Sequence, residues 1–257
     1  MPTRILVIKS LKLKGATLLV GLPGIGLVGK IAVDYFLKQI KAEKVAEVLS
    51  DSFPPSVHTK DSKIHLIKNE IFHFDVKGKS FLILAGPVQP TLDLKVGSSH
   101  EHYEFAETLI NFFKSIGVSE VITLAGINVG DKRINSKPEV IVAATHDDLI
   151  AEWKKAGAKE DKKEGLISGA AGLFAGLAQL HGLKGACLMG ETNAQLIYGD
   201  QGSAKVIIEL VAKKFAFKID MKTIDKEAKG IEKAFKELTQ QLEVNEECKP
   251  ENISYVR

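Results

Sequence analysis

Residues 16–29 read ATLLVGLPGIGLVG, an apolar run that leads through a proline and three spaced glycines into a segment of helical period. The run predicts a buried strand, and the glycines mark a turn from that strand into a helix. Strand-turn-helix units of this kind build α/β proteins with largely parallel sheets. We therefore expect strands and helices to alternate around one sheet.

Seven further short apolar runs, rich in β-branched residues, predict more strands that are mostly buried. They are residues 44–49, 64–67, 71–76, 81–85, 121–125, 140–144 and 185–189. The pair 71–76 and 81–85 predicts a hairpin, because Lys77-Gly78-Lys79 between them suits a tight turn. Residues 101–116 have the apolar period of an amphipathic helix that covers a sheet face. The predicted fold is a three-layer α/β/α sandwich with a mostly parallel but mixed sheet.

The chain has 257 residues, of which 45% are hydrophobic, and this is enough for one substantial core. We predict an α/β core over residues 1–219, a C-terminal amphipathic helix over 220–245 and a flexible tail over 246–257. The charged, glycine-flanked segment 156–165 predicts an exposed loop. The C-terminal helix has an apolar stripe that could pack within the chain or between subunits. Its members include Ile224, Ile231, Phe235, Leu238 and Leu242.

Charge and composition disfavour several classes of function. The 35 basic and 32 acidic residues give a net charge of +3 and are interleaved, so nucleic acid is not expected as a partner. We expect neither a signal peptide nor a membrane span, and we expect a cytoplasmic protein without disulfides. His100 and His102 lie two residues apart, whereas metal ligands on a helix need steps of three or four, so no metal site is predicted.

The glycines Gly24, Gly26 and Gly29 have the spacing of a dinucleotide fingerprint, which brings a pyrophosphate to a helix N-terminus. The same glycines also suit close packing of the helix on the sheet. Asn128 and Glu191 follow predicted strands, as residues of ligand loops do in α/β sheets. A nucleotide- or nucleoside-binding enzyme is therefore an alternative function. The sequence has no Gly-x-Ser-x-Gly or His-Glu-x-x-His motif, and we assign no catalytic residue and no cofactor.

Four segments together resemble the archaeal form of the proteasome assembly chaperone family. They are residues 19–29 (LVGLPGIGLVG), 124–126 (LAG), 165–173 (GLISGAAGL) and 190–192 (GET). The resemblance covers most of residues 15–214. It implies a core similar to that of purine nucleoside phosphorylases without their catalytic residues. It also implies homo-oligomers that bind subunits of the proteasome core particle.

The resemblance also implies a role for the C-terminus. Members of the family end in a hydrophobic residue, a tyrosine and any last residue, which insert between adjacent α subunits of the proteasome ring. This sequence ends in ISYVR, so its tyrosine is third from the end instead of second. We take Ile253, Tyr255, Val256 and Arg257 as the partner-binding residues. The resulting hypothesis is a non-enzymatic assembly chaperone or proteasome-binding factor that acts through its tail.

Overall fold

The computed structural model describes residues 2–90, 99–162, 164–196 and 198–230. In this part of the chain, nine strands form one mixed sheet and two short strands form a second sheet. The strands are β1 Arg4–Val7, β2 Ala16–Gly21, β3 Glu43–Leu49, β4 Val57–Lys60, β5 Lys63–Leu66, β6 Asn69–Val76, β7 Lys79–Ala85, β8 Val118–Asn128, β9 Val140–Ala144, β10 Lys159–Glu160 and β11 Lys184–Thr192. The helices are α1 Val28–Gln39, α2 Ser99–Ser115, α3 Lys132–Asn135, α4 Asp147–Ala156, α5 Gly169–Leu180 and α6 Gln201–Phe215.

The order of strands in the large sheet is β1-β3-β6-β7-β2-β8-β11-β9-β10. Strands β7, β2, β8 and β11 run parallel at the centre, and antiparallel pairs flank them. Every residue of β2 is buried, as expected for a strand with both faces covered. The apolar residues 16–21 therefore form the central strand of the large sheet.

Helices cover both faces of this sheet, so there are two layers of core. Residues of α1, α4 and α6 pack on one face around Phe36, Trp153 and Ile207. Residues of α2 and α5 pack on the other face around Phe105 and Phe174. The predicted three-layer α/β fold with a mixed sheet is confirmed.

The predicted helix over residues 101–116 and the predicted hairpin are both found. Helix α2 buries Phe105, Leu109 and Phe113 at steps of four, which places its apolar stripe against the sheet. Strands β6 and β7 pair antiparallel through a two-residue turn. In that turn Lys77 and Gly78 have φ of 51° and 76°, the positive values that a tight hairpin turn requires.

Three expectations about the strands are corrected. Residues 64–67 were predicted to be mostly buried, but β5 pairs only with β4, and Ile64 and Leu66 are 72% and 64% exposed. The interval 156–165 is not all loop, because the two residues of β10 pair in parallel with β9 and form the edge of the large sheet. Strand β1 has no counterpart among the predicted runs. It is a largely exposed edge strand, although residues 5–8 (ILVI) form a short apolar run.

Residues 222–230 are helical and begin the predicted C-terminal helix. Ile224 is fully buried in the core formed by α1, α4 and α6. The Tyr35 hydroxyl donates a 2.6 Å hydrogen bond to the Asp220 carbonyl oxygen and accepts one of 3.3 Å from the Ile224 amide. The described start of this helix is thus packed on its own chain. Ile231, Phe235, Leu238 and Leu242 lie outside the described residues.

Candidate functional site

A cavity of about 680 Å³ opens at the carboxyl ends of the central strands. Its floor is apolar and includes Val20 of β2, Leu124 of β8 and Met189 of β11. Segment 164–168 and the first residues of α5 form another wall. In open α/β sheets, ligands bind at this edge of the sheet, so the cavity is the natural candidate site.

The glycine turn between β2 and α1 borders this cavity, but two of its glycines serve close packing. A Cβ atom on Gly29 would lie 1.9 Å from the Leu124 carbonyl oxygen, because α1 begins against the backbone of β8. Gly26 has φ of +60°, and a Cβ atom there would lie 2.5 Å from the Thr192 hydroxyl. At Gly24 no heavy atom lies within 4 Å of such a Cβ atom, and this residue lines the cavity. These contacts favour the packing interpretation for Gly26 and Gly29.

Asn128 lies at the end of β8 and also lines the cavity. Its side-chain oxygen accepts hydrogen bonds from the Gly130 amide at 3.2 Å and the Ala194 amide at 3.0 Å. The side chain therefore joins the loop after β8 to the loop after β11. A short polar side chain that satisfies backbone amides in this way is a common structural element of turns.

Glu191 is buried and points to α3 instead of the cavity, whose lining does not include it. Its carboxylate accepts hydrogen bonds from the Lys132 ammonium group and, at 3.2 Å, from the Glu139 amide. The bond to Glu191 raises the pKa of Lys132. The structure brings the five residues of the predicted ligand loop to one edge of the sheet: Gly24, Gly26, Gly29, Asn128 and Glu191. Three of them, Gly24, Gly29 and Asn128, line the cavity.

A buried ion pair lies beside this edge and was not predicted from the sequence. The Arg133 guanidinium donates from Nε and Nη2 to both Asp200 carboxylate oxygens, each at 2.8 Å. Asp200 also accepts from the Thr192 hydroxyl at 2.9 Å and caps α6 by accepting from the Ser203 amide at 2.9 Å. A hydrogen bond of 2.8 Å from the Asp200 amide to the Gly26 carbonyl completes the network.

This network holds together α3, the end of β11, the glycine turn and the start of α6. An aspartate just before a helix is an N-cap signal that sequence reasoning can detect. Its arginine partner lies 67 positions earlier in the sequence, and nothing in the sequence indicates that pairing.

The charges around the cavity bear on which ligands fit it. Among the lining residues that the structure describes, the charged ones are Asp161 and Glu164, and none is basic. The described lining residues therefore supply no positive charge that would attract a phosphate-bearing ligand. Within the described ranges, no group of three or more His, Cys, Asp and Glu side chains is placed to hold a metal ion.

The predicted partner-binding residues Ile253, Tyr255, Val256 and Arg257 lie outside the described residues, and their role stays a prediction. No helix within residues 2–90, 99–162, 164–196 and 198–230 is both long and apolar enough to cross a bilayer.

Comparison with known proteins places this architecture among several relatives. The model of the PAC2 family matches residues 18–239. An uncharacterized protein of Methanocaldococcus jannaschii is 33% identical over 220 residues, which cover 86% of this chain and 81% of that protein.

Two solved structures from Pyrococcus furiosus are also similar. PbaB, described as an archaeal proteasome activator, superposes with a TM-score of 0.82 at 31% identity, covering 93% of this chain and 99% of PbaB. PbaA, described as an archaeal homolog of proteasome-assembly chaperone, superposes with a TM-score of 0.71 at 24% identity, covering 96% of this chain and 95% of PbaA. At that identity PbaA supports the fold alone.

Proposed function

The chain belongs to the PAC2 family, and we propose that it is a non-enzymatic protein that binds the proteasome core particle. The observation that carries this proposal is the similarity to PbaB, an archaeal proteasome activator, at 31% identity over 93% of the chain. This similarity extends over nearly the whole chain and is not confined to a single motif. Activation of the assembled core particle is therefore the first activity to test, and assistance in its assembly is the second.

The C-terminal tail is the proposed contact with the core particle. The start of the C-terminal helix is held on the body by Tyr35 and by two hydrogen bonds between Gln39 and Asp220, of 2.8 Å and 2.7 Å. Lys205 adds a 2.8 Å ion pair to Asp225. The described start of the helix is thus fixed on the body, and the tail follows this helix in the sequence. One buried tyrosine can supply much of the binding energy of a small interface, which makes Tyr255 the proposed anchor.

A homo-oligomer would strengthen this mode of binding. Several tails on one assembly would meet several sites on one ring, and each further contact would form at a high effective concentration. Weak individual tails could then give stable binding. We therefore propose that the active form is a homo-oligomer.

The test compares the full chain with Tyr255→Ala and with a variant that lacks residues 253–257. Peptide hydrolysis by purified archaeal core particle is followed as each protein is added, and binding is measured in parallel by biolayer interferometry. We expect the full chain to bind, and both tail variants to lose at least tenfold in affinity with unchanged melting temperatures. Equal binding by all three proteins would refute the tail as the contact, whatever the effect on hydrolysis.

The matched control is Tyr198→Ala, because Tyr198 is an exposed tyrosine in the described body. Its removal should leave binding unchanged. If Tyr198→Ala also loses affinity, the contact involves the body and the tail cannot act alone. The nucleotide-binding alternative has less support, because Gly29 packs against β8 and the described lining of the cavity has no basic residue.

A further inference from the structure

The cavity at the sheet edge has walls that are held in place by the protein itself. Gln89 donates a 2.6 Å hydrogen bond from its side-chain amide to the Pro23 carbonyl oxygen. Its side-chain oxygen accepts a 3.1 Å hydrogen bond from the Ala170 amide. The side chain thus links the turn before α1 to the first turn of α5, and both of its polar ends are engaged.

Close backbone contacts fix the same walls further. A Cβ atom on Gly172 would lie 2.0 Å from the Ile167 carbonyl oxygen, so segment 164–168 lies directly against α5 at that point. A Cβ atom on Gly126 would lie 2.3 Å from the Ile25 carbonyl oxygen, on the side of the glycine turn. The cavity is therefore formed before any ligand arrives, which is usual for sites that bind small molecules.

The interior of this cavity is apolar. Val20, Leu124 and Met189 form the floor, and Ala143 and Ala171 line the space with small side chains. A charged group placed on this floor would lose its water and meet hydrocarbon, which is unfavourable. A neutral apolar group gains free energy when it leaves water for the same surroundings, so the floor favours it.

The mouth of the cavity is apolar as well. Ile25, on the glycine turn, lines the cavity and is 46% exposed. Leu166 and Ile167, on segment 164–168, also line it and are 97% and 36% exposed. One exposed leucine needs no explanation, but these three side chains border a single cavity. A ligand that fills the cavity would cover apolar surface at its mouth in addition to the floor.

The charges at the rim do not select the sign of a ligand. Asp161 and Glu164 are exposed, and Asp161 already has an interaction partner within the protein. Lys162 and Lys163 lie between these two carboxylates in the sequence. Selection therefore depends on the apolar interior, which disfavours a charge of either sign.

We propose that this cavity binds a compact neutral apolar molecule, such as a fused-ring aromatic compound. The ring system lies on the strand ends, and Leu166 packs against it at the mouth. The volume of about 680 Å³ lies within the range of about 300–1,000 Å³ that is typical of small-molecule pockets. This site is separate from the proposed tail contact and does not depend on it.

The first test uses N-phenyl-1-naphthylamine, a neutral fused-ring compound whose fluorescence increases in apolar surroundings. Titration with the full chain should show a saturable rise in this fluorescence. Isothermal titration calorimetry then compares neutral 3-methylindole with the cation tryptamine and the anion indole-3-acetate. The neutral molecule should bind at least about fivefold more tightly than either ion, because the apolar interior penalises a charge. This order should hold at low and at high salt, since it does not depend on exposed charges that salt would screen.

Leu166→Ser tests the mouth of the cavity. It should weaken both neutral probes by about three- to tenfold, because the ligand loses an apolar contact. The melting temperature should stay the same, since the Leu166 side chain is almost fully exposed. Leu180→Ser is the matched control, because Leu180 is also exposed, at 77%, and lies outside the cavity lining. It should change neither affinity.

A second substitution tests the interior. Ala171→Phe fills the cavity and should weaken both neutral probes at least about tenfold, because the floor is no longer accessible to them. Should Ala171→Phe fail to fold, Ala143→Leu fills the same space from β9.

The proposal is overturned if neither neutral probe binds saturably, if a charged indole binds as tightly as 3-methylindole, or if the folded cavity-filling variant binds as tightly as the unmodified protein. It is also overturned if Leu166→Ser loses binding to the proteasome core particle but keeps its affinity for both neutral probes, because the mouth would then be a protein contact. The probes are measured on the chain alone, so failure of the ligand site and failure of the proposed function are told apart.

Discussion

Replacement of Asp200 by alanine tests how the sheet edge is held together. Asp200 is fully buried and receives two hydrogen bonds from Arg133, one from Thr192 and one from the Ser203 amide. Its loss leaves the Arg133 guanidinium as a buried charge without its carboxylate. Removal of one partner of a buried pair costs about 3–5 kcal/mol in the free energy of unfolding. For a chain of this size, that corresponds to a melting temperature lower by roughly 6–20 °C.

The assay is chemical denaturation followed by circular dichroism, with two comparisons. Arg133→Met in the Asp200→Ala background should cost much less than Arg133→Met alone, because the second change removes the buried guanidinium that has lost its carboxylate. Lys30→Ala breaks a partly exposed 2.6 Å ion pair with Asp34 and should cost no more than about 1 kcal/mol. A loss below about 1 kcal/mol for Asp200→Ala, or strict additivity in the double variant, would refute this role of the pair.

Three further predictions concern single side chains. Gly29→Ala should lower the free energy of unfolding by about 2 kcal/mol or more, because its Cβ atom would overlap the Leu124 carbonyl oxygen. Gly24→Ala, where the Cβ atom meets nothing, should lower it by less than about 1 kcal/mol. Equal losses for the two variants in denaturant titrations would contradict the packing role of Gly29. Burial raises the pKa of the Cys187 thiol to about 11, so the thiol should not react with iodoacetamide near neutral pH in the folded protein. Mass spectrometry of the peptide that contains Cys187 should show alkylation only after denaturant is added. Burial also raises the pKa of Glu120 above 4.5, despite the hydrogen bond from Thr17. The protonated form of Glu120 therefore stabilises the fold at low pH, and this contribution is lost as pH rises through the folded-state pKa. In denaturant titrations, Glu120→Gln should thus become more stable relative to the unmodified protein as pH rises from 4.5. A change in the opposite direction would show that burial is not the dominant cause of the pKa shift.

The central strands were predictable because burial on both faces demands an unbroken apolar run. Residues 16–20, 121–125 and 185–189 have such runs, and they became β2, β8 and β11, adjacent at the centre of the sheet. Exposed strands lack this constraint. Residues 5–8 (ILVI) form an apolar run, yet β1 is largely exposed. Ile64 and Leu66 are apolar, yet they lie in an exposed two-stranded sheet.

The candidate site was only partly accessible from the sequence. The glycine spacing located the turn that borders the cavity, but it could not distinguish a phosphate cradle from close packing of Gly29 on Leu124. Glu191 follows a strand as a ligand residue would, yet its carboxylate pairs with Lys132. Segment 164–168 overlaps the predicted loop 156–165 and the segment 165–173 that resembles the family, and its place at the cavity depends on how α5 packs, which no local pattern encodes.

The central claim is that this PAC2 protein binds the proteasome core particle. The most direct measurement mixes the purified full chain with assembled archaeal core particle and follows both by native mass spectrometry across a concentration series. The account predicts complexes that contain the core particle and one or more copies of the chain, with occupancy that saturates. Two unassociated species at every concentration, from a chain that is folded by circular dichroism, would contradict it.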